Sequence, residues 1–167
     1  MNKQEAIEFL IEDHKKMEFI IDALHNEEMV QYHILKAWTI KDIIAHLASW
    51  NKELTKSIDW ILSNQDIWFR KGGIDEFNKI QVTIRKPKTL QEVIEEWQTS
   101  FDSLIERIKQ LSEEDWTFES EYKWEDGNRI KIKHLVDYRY HGFGHEGGHA
   151  WQIEDYFESD RCACRVY

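Results

Sequence analysis

Hydrophobic positions recur with helical period in four long segments of the chain. The first segment runs from about Gln4 to Leu24, with an apolar residue at every third or fourth position. The second begins at Thr39 and the third at Thr89, and each threonine is a good N-cap with an acidic residue three positions later. The fourth segment runs from about Lys133 to Phe157. This pattern predicts four long helices.

The segments between these helices are shorter and less regular. Residues 74–85 have the pattern of a short helix, and residues 112–115 resemble a turn. Residues 116–133 alternate weakly around Asp126 and Gly127, a pair typical of hairpin turns. We therefore predict an all-α four-helix bundle with a short hairpin or an irregular segment before the last helix.

Composition and charge narrow the class of protein. The chain has 167 residues, 41% of them hydrophobic and 32% charged, which fits one domain over residues 1–167 with a peripheral tail from about residue 159. The net charge of −10 argues against nucleic acid and anionic membranes as partners, because phosphate binding needs clustered Lys and Arg. We find no membrane-spanning apolar run and no signal peptide, and we expect a cytoplasmic protein.

The two cysteines, Cys162 and Cys164, lie two positions apart near the end of the chain. A disulfide between such near neighbours would be strained, so the pair does not indicate a secreted disulfide scaffold. We interpret them as bystander thiols in the tail rather than as a metal-binding pair.

The histidines of the fourth segment predict a metal site. His141, His145 and His149 are spaced four residues apart, which places them on one face of a continuous helix. Two of them, together with His46 from the apolar face of the second helix, would leave one coordination position open, as in catalytic zinc sites. Nickel or ferrous iron accept the same imidazoles, so we expect one divalent ion per chain without naming the metal. His141 is then either a fourth ligand or a polar wall of the pocket.

Four glycines lie among these histidines, at positions 142, 144, 147 and 148. Each glycine inside a helix costs about 1 kcal/mol relative to alanine. We expect the close approach of a neighbouring helix or of a ligand to offset that cost. In the alternative, residues 142–148 form a loop and the histidine spacing changes.

The remaining histidines have simpler interpretations. His14 lies on the apolar stripe of the first helix and His134 at the start of the fourth, and we expect both to be hydrogen-bonded core residues. His25 and His33 fall in polar connecting segments and are expected at the surface.

His145, Glu146 and His149 also match H-E-x-x-H, the zinc-protease signature in which the glutamate activates the metal-bound water. On a helix, however, Glu146 points about 100° away from His145. Related proteases also need a turning glycine three residues after the second histidine, where this chain has Gln152. A protease is therefore the weakest of the functional hypotheses, and Glu146 receives no firm role.

Three motifs resemble the DinB-like superfamily. Residues 38–47 resemble the start of its second helix, where a tryptophan and a cap precede an aspartate and then a histidine. Residues 145–153 resemble its last-helix motif, with two histidines followed by glutamine and isoleucine. Residues 75–78, Asp-Glu-Phe-Asn, resemble a segment found between helices two and three of its members.

This resemblance implies a four-helix bundle that holds a divalent metal through His46, His145 and His149, usually within a homodimer. Members of known activity include thiol transferases that use bacillithiol or mycothiol, in which the metal lowers the pKa of the thiol. A thiol transferase acting on small electrophiles is accordingly the leading hypothesis. A non-enzymatic bundle that binds metal or a small ligand is the alternative. Gln152 could contact the ligand or support His149.

Overall fold

The computed structural model describes residues 1–35, 37–137, 139 and 141–163, and for residues 160–163 it describes the backbone alone. Two short strands, β1 (His33–Leu35) and β2 (Trp38–Thr39), form an antiparallel pair, and a 3-10 turn spans Trp68–Lys71. In chain order the helices are α1 (Lys3–Ala23), α2 (Asn26–Gln31), α3 (Ile40–Leu62), α4 (Ile74–Arg85), α5 (Leu90–Lys109), α6 (Glu113–Thr117), α7 (Ile132–Val136) and α8 (His145–Ala163).

Reciprocal hydrogen bonds start the second and third long helices where the sequence predicts. The Thr39 side chain accepts from the Asp42 backbone N–H at the start of α3, and the Asp42 carboxylate accepts from the Thr39 backbone. Thr89 and Glu92 form the same capping box at α5. Each box satisfies N–H groups that a helix N-terminus leaves without an intrahelical acceptor.

The long helices pack as a bundle with α3 at its centre. Helix α3 lies along α5, and α1 lies along α8. Two clusters of buried apolar side chains fill the interior, one at each end of the bundle. The cluster beside the histidines is built around residues fully removed from solvent, which include Ile43, Leu47, Trp97 and Ile153. The prediction of an all-α four-helix bundle is confirmed.

The fourth helix begins later than predicted. A continuous helix from Lys133 to Phe157 is wrong, because α7 ends at Val136 and α8 starts at His145. The backbone between them turns at His141, with φ +51°, and at Gly142, with φ +87°. A left-handed backbone at two successive residues cannot continue a right-handed helix.

The segment before α7 is mostly irregular. One isolated bridge joins Lys123 to Arg129, and Gly127 has a φ of +85° in the predicted turn between them. Residues 112–115 are not a simple turn, because the Ser112 side chain caps α6. Cys164 lies outside the described residues, as does the side chain of Cys162. None of the described helices is both long and apolar enough to cross a membrane.

Candidate metal centre

Helices α3 and α8 bring three histidines together. His46 lies on the second turn of α3, and His145 and His149 lie on the first two turns of α8. One ring nitrogen from each of the three falls within 4.8 Å of the others. The Nε2 atoms of His46 and His145 are 2.9 Å apart. Across the described part of the chain, no other group of three His, Cys, Asp or Glu side chains meets this spacing.

The three imidazoles are held in their neutral form. Burial, together with the nearby His149, lowers the pKa of His46 to about 3. Burial also lowers the pKa of His149 to about 4, and it lowers the pKa of His145 well below the ordinary value. A neutral imidazole keeps a lone pair for a metal ion, so burial prepares all three rings as ligands.

A polar neighbour orients the ring of His149, and the ring of His46 has no such partner at Nδ1. Gln152 Oε1 lies 2.8 Å from His149 Nδ1 and accepts a hydrogen bond from it, which leaves the Nε2 lone pair of that ring available. Asn78 favours the protonated form of His46, yet His46 Nδ1 is buried and no described atom meets hydrogen-bond geometry with it. Buried polar atoms without a hydrogen-bond partner are rare in folded proteins.

These residues fit a divalent transition metal. They offer three neutral nitrogen ligands from two different helices, which is the donor set of catalytic zinc sites and is also accepted by nickel and ferrous iron. Gln152 supplies the outer hydrogen bond that metal-bound histidines usually make.

A cavity of about 500 Å³ opens beside the three histidines. Aromatic rings form much of its wall, with Trp50, Phe69 and Trp124 in a row of ring contacts. Asn78 from α4 lines it as well, and its Oδ1 accepts from Trp50 Nε1 at 2.8 Å. Among the described lining residues there is no Lys, Arg, Asp or Glu. The cavity is therefore suited to uncharged groups.

Glu146 points away from this cavity, into the core. Its Oε1 accepts from Asn51 Nδ2 and Trp97 Nε1, both at 2.9 Å, and its Oε2 lies 2.6 Å from His14 Nδ1. Both carboxylate oxygens are thus engaged with α1, α3 and α5, and Glu146 is not a pocket residue. The H-E-x-x-H motif lacks its general base here. The prediction that His14 is a hydrogen-bonded core residue is confirmed.

His141 does not share the face of His145 and His149. It precedes α8, is exposed, and its ring stacks on Trp151 with centroids 4.5 Å apart. It belongs neither to the group of three histidines nor to the residues that line the cavity. The left-handed backbone at His141 breaks the four-residue spacing on which its predicted role depended.

Asp13 of α1 explains two of the glycines. Its buried carboxylate accepts from the backbone N–H groups of Gly144 and Gly147, at the N-terminus of α8. A Cβ atom at Gly147 would fall 2.6 Å from Asp13 Cγ, and one at Gly144 would fall 2.7 Å from Phe9 Cε1. Close approach of α1 therefore requires both glycines. Burial raises the pKa of Asp13, and the hydrogen bonds from α8 oppose that rise.

We expect Gly147→Ala to destabilise the protein by about 1–3 kcal/mol, because the added methyl group forces Asp13 from its position. Urea unfolding measures the change. In an Asp13→Ala background the same substitution should be neutral or should stabilise by up to about 1 kcal/mol, since alanine is the better helix former. Equal effects in both backgrounds would contradict the contact.

The low pKa values of the three histidines predict a pH dependence for the metal-free protein. Unfolding returns each ring to a pKa near 6.5, so below that pH the unfolded chain binds protons that the folded chain does not. The stability that the neutral rings contribute is thus complete above pH 6.5 and is lost as the pH falls toward about 4 for His149 and about 3 for His46. Each histidine contributes about 1.4 kcal/mol per pH unit. Urea unfolding in EDTA measures this slope, which reports the number of protons bound on unfolding. His46→Phe should lower that number by one.

Sequence reasoning missed three functional neighbours of the site. Asp13 carried no signal of its own in the sequence, because it lies within a run of polar residues at positions 12–16. Asn78 lay in the motif of residues 75–78, although its position beside the cavity was not predicted. His134 was expected in the core, and it lines the cavity instead.

Three solved structures have folds similar to that of this chain. The crystal structure of the mycothiol-dependent maleylpyruvate isomerase matches with a TM-score of 0.64 and 15% identity, over 81% of this chain and 55% of that one. A histidine-to-alanine mutant of the isomerase matches with a TM-score of 0.66 and 14% identity. An uncharacterised protein from Escherichia coli UTI89 matches with a TM-score of 0.73 and 10% identity, over 96% and 95% of the two chains.

The chain spans 55% of the length of the isomerase, and at such low identities the likeness shows a shared fold. A search of curated proteins finds no match to the sequence. The sequence itself matches the model of the DinB superfamily over residues 9–153, which is most of its length. The chain therefore belongs to the DinB superfamily.

Proposed function

We propose that this protein is a metal-dependent thiol transferase that acts on small electrophiles. The observation that carries the proposal is the group of three neutral histidines at the wall of an uncharged aromatic cavity. The arrangement offers a divalent ion three ligands and offers a small molecule the space beside them. The shared fold with a mycothiol-dependent isomerase supports a thiol as the second partner.

Each residue of the site has a role in this proposal. His46, His145 and His149 would hold the ion, and Gln152 keeps the ring of His149 in the required tautomer. When bound, the metal lowers the pKa of a thiol so that the thiolate is present at neutral pH. The aromatic wall excludes water and holds the electrophile beside the thiol.

The proposed thiol is bacillithiol or mycothiol, and the proposed metal is zinc, nickel or ferrous iron. In a model reaction with monochlorobimane, the thiolate sulfur forms a C–S bond, the C–Cl bond breaks and chloride leaves. The thiol proton passes to solvent. We also propose a homodimer, on the family resemblance alone, and light scattering of the eluting protein tests it.

The decisive experiment measures conjugation of monochlorobimane with bacillithiol, mycothiol, cysteine and glutathione in turn. We expect one thiol to react faster than its spontaneous rate, with the added rate abolished by EDTA and restored by the metal. His33→Ala, at an exposed histidine outside the site, should leave the rate unchanged. A protein that binds metal yet accelerates none of the four thiols would contradict transfer and would support a non-enzymatic binding bundle.

A further inference from the structure

A row of aromatic contacts along the cavity wall leads from the metal centre to His134. The ring of His145 contacts Trp50, Trp50 contacts Phe69, and Phe69 contacts Trp124, with centroids 6.3, 5.5 and 6.4 Å apart. Trp124 then contacts His134 at 6.4 Å. In this row three aromatic rings lie between His145 and His134, and all five residues line the same cavity.

Two donors fix the tautomer of His134. Trp124 Nε1 donates to His134 Nδ1 at 3.1 Å, and the backbone N–H of Lys131 donates to the same atom at 3.3 Å. A neutral imidazole that accepts at Nδ1 carries its proton on Nε2. Within the described ranges, no protein atom accepts a hydrogen bond from Nε2. The ring thus has one N–H donor to offer a molecule in the cavity that it lines.

The His134 ring is also held uncharged. Burial lowers its pKa, and the neighbouring Lys133 and Lys131 lower it further, although Asp126 and Asp137 oppose them. At neutral pH the ring is therefore a neutral donor rather than a cation. No charged side chain among the described lining residues supplies a counter-charge elsewhere in the cavity.

We propose that His134 determines substrate specificity by donating its Nε2–H to an uncharged oxygen acceptor on an apolar or aromatic ligand. The acceptor belongs to a carbonyl or a similar neutral group, and the ring or chain that carries it packs against Trp124 and Phe69. The ligand is a substrate only if the proposed thiol transfer is correct. In that case His134 defines the class of electrophile that the protein accepts.

The same geometry disfavours carboxylate ligands at this end of the cavity. A carboxylate would lose its water without gaining a cationic partner, and a single neutral N–H does not offset that loss. A carbonyl group loses much less hydration free energy than a carboxylate on entering the cavity, and one hydrogen bond offsets most of that loss. The cavity is therefore expected to bind neutral ligands more tightly than carboxylates of the same shape.

Three small probes test the inference without any thiol. Acetophenone carries a carbonyl on a phenyl ring, α-methylstyrene has the same shape with no acceptor, and benzoate carries a charge. Their dissociation constants are measured by NMR titration of the indole and imidazole signals, in EDTA and again with zinc bound. In EDTA we expect benzoate to bind at least about tenfold more weakly than acetophenone.

His134→Phe keeps a ring in place and removes the donor. We expect this substitution to lower the affinity for acetophenone about fivefold more than the affinity for α-methylstyrene. That difference corresponds to one hydrogen bond. His134→Gln, whose amide can place an N–H near the position of Nε2, should restore most of that difference. Because the two hydrocarbon frames match, a general loosening of the cavity would weaken both probes equally.

Two results would overturn the inference: benzoate binding as tightly as acetophenone in EDTA, or His134→Phe weakening acetophenone and α-methylstyrene by the same factor. Neither result depends on metal or thiol. A protein that discriminates the probes as expected but transfers no thiol would refute the proposed reaction and leave the assignment of His134 intact.

Discussion

His46→Ala is expected to abolish stoichiometric metal binding. The wild-type protein should hold about one divalent ion per chain, measured by elemental mass spectrometry after dialysis. Loss of one of three ligands should lower the affinity for the metal ion by more than about 100-fold. Substitution of a residue that only hydrogen-bonds to a ligand already lowers metal affinity by up to about that factor. His46 is the single ligand that α3 contributes, so its removal separates a cross-helix site from one built on α8 alone.

The matched control is His33→Ala, which removes an exposed histidine and should leave the metal content unchanged. Circular dichroism checks that α3 remains folded in the His46 variant. Metal retained without His46 would refute the cross-helix centre and would favour the H-E-x-x-H motif of α8. Absence of metal from the wild type, even after incubation with zinc, nickel and iron, would refute the metal-dependent function.

Glu146→Ala is expected to lower the free energy of unfolding by about 3–5 kcal/mol. The substitution removes an acceptor shared by His14, Asn51 and Trp97, and it leaves three buried donors without partners. Glu146→Gln keeps one acceptor oxygen, so its cost should be smaller, about 1–3 kcal/mol. Chemical denaturation followed by tryptophan fluorescence measures both changes.

Glu154→Ala is the control for this prediction, because Glu154 is an exposed glutamate on the same helix. Its effect should stay within about 0.5 kcal/mol. A Glu146→Ala protein as stable as this control would mean that the hydrogen bonds of Glu146 in the core do not stabilise the fold. That result would favour a position of Glu146 beside the metal, as the protease motif requires.

Local chemistry explains why parts of the fold were predictable. The caps at Thr39 and Thr89 depend on contacts within three residues, and those residues are adjacent in the sequence. The hydrophobic period of α1, α3 and α5 likewise reflects which face each helix buries. By contrast, β1 and β2 contain three and two residues, too few to show an alternating pattern.

The start of α8 could not be predicted locally. Asp13 lies more than a hundred residues upstream, and its carboxylate caps the helix by accepting from the backbone N–H groups of Gly144 and Gly147. The pattern of histidines at every fourth position is the same with or without that cap. The sequence-based prediction consequently extended the helix through His141 and placed that residue on the wrong face.

The helical class, the starts of α3 and α5 and the three clustered histidines could all be predicted from the order of residues along the chain. Helical period and capping are short-range effects, and the spacing of His145 and His149 on one helix is a property of five consecutive positions. The partners of Glu146, the cap on α8 and the position of His134 in the cavity became visible in the folded protein alone. These depend on side chains from distant helices that meet only when the bundle packs.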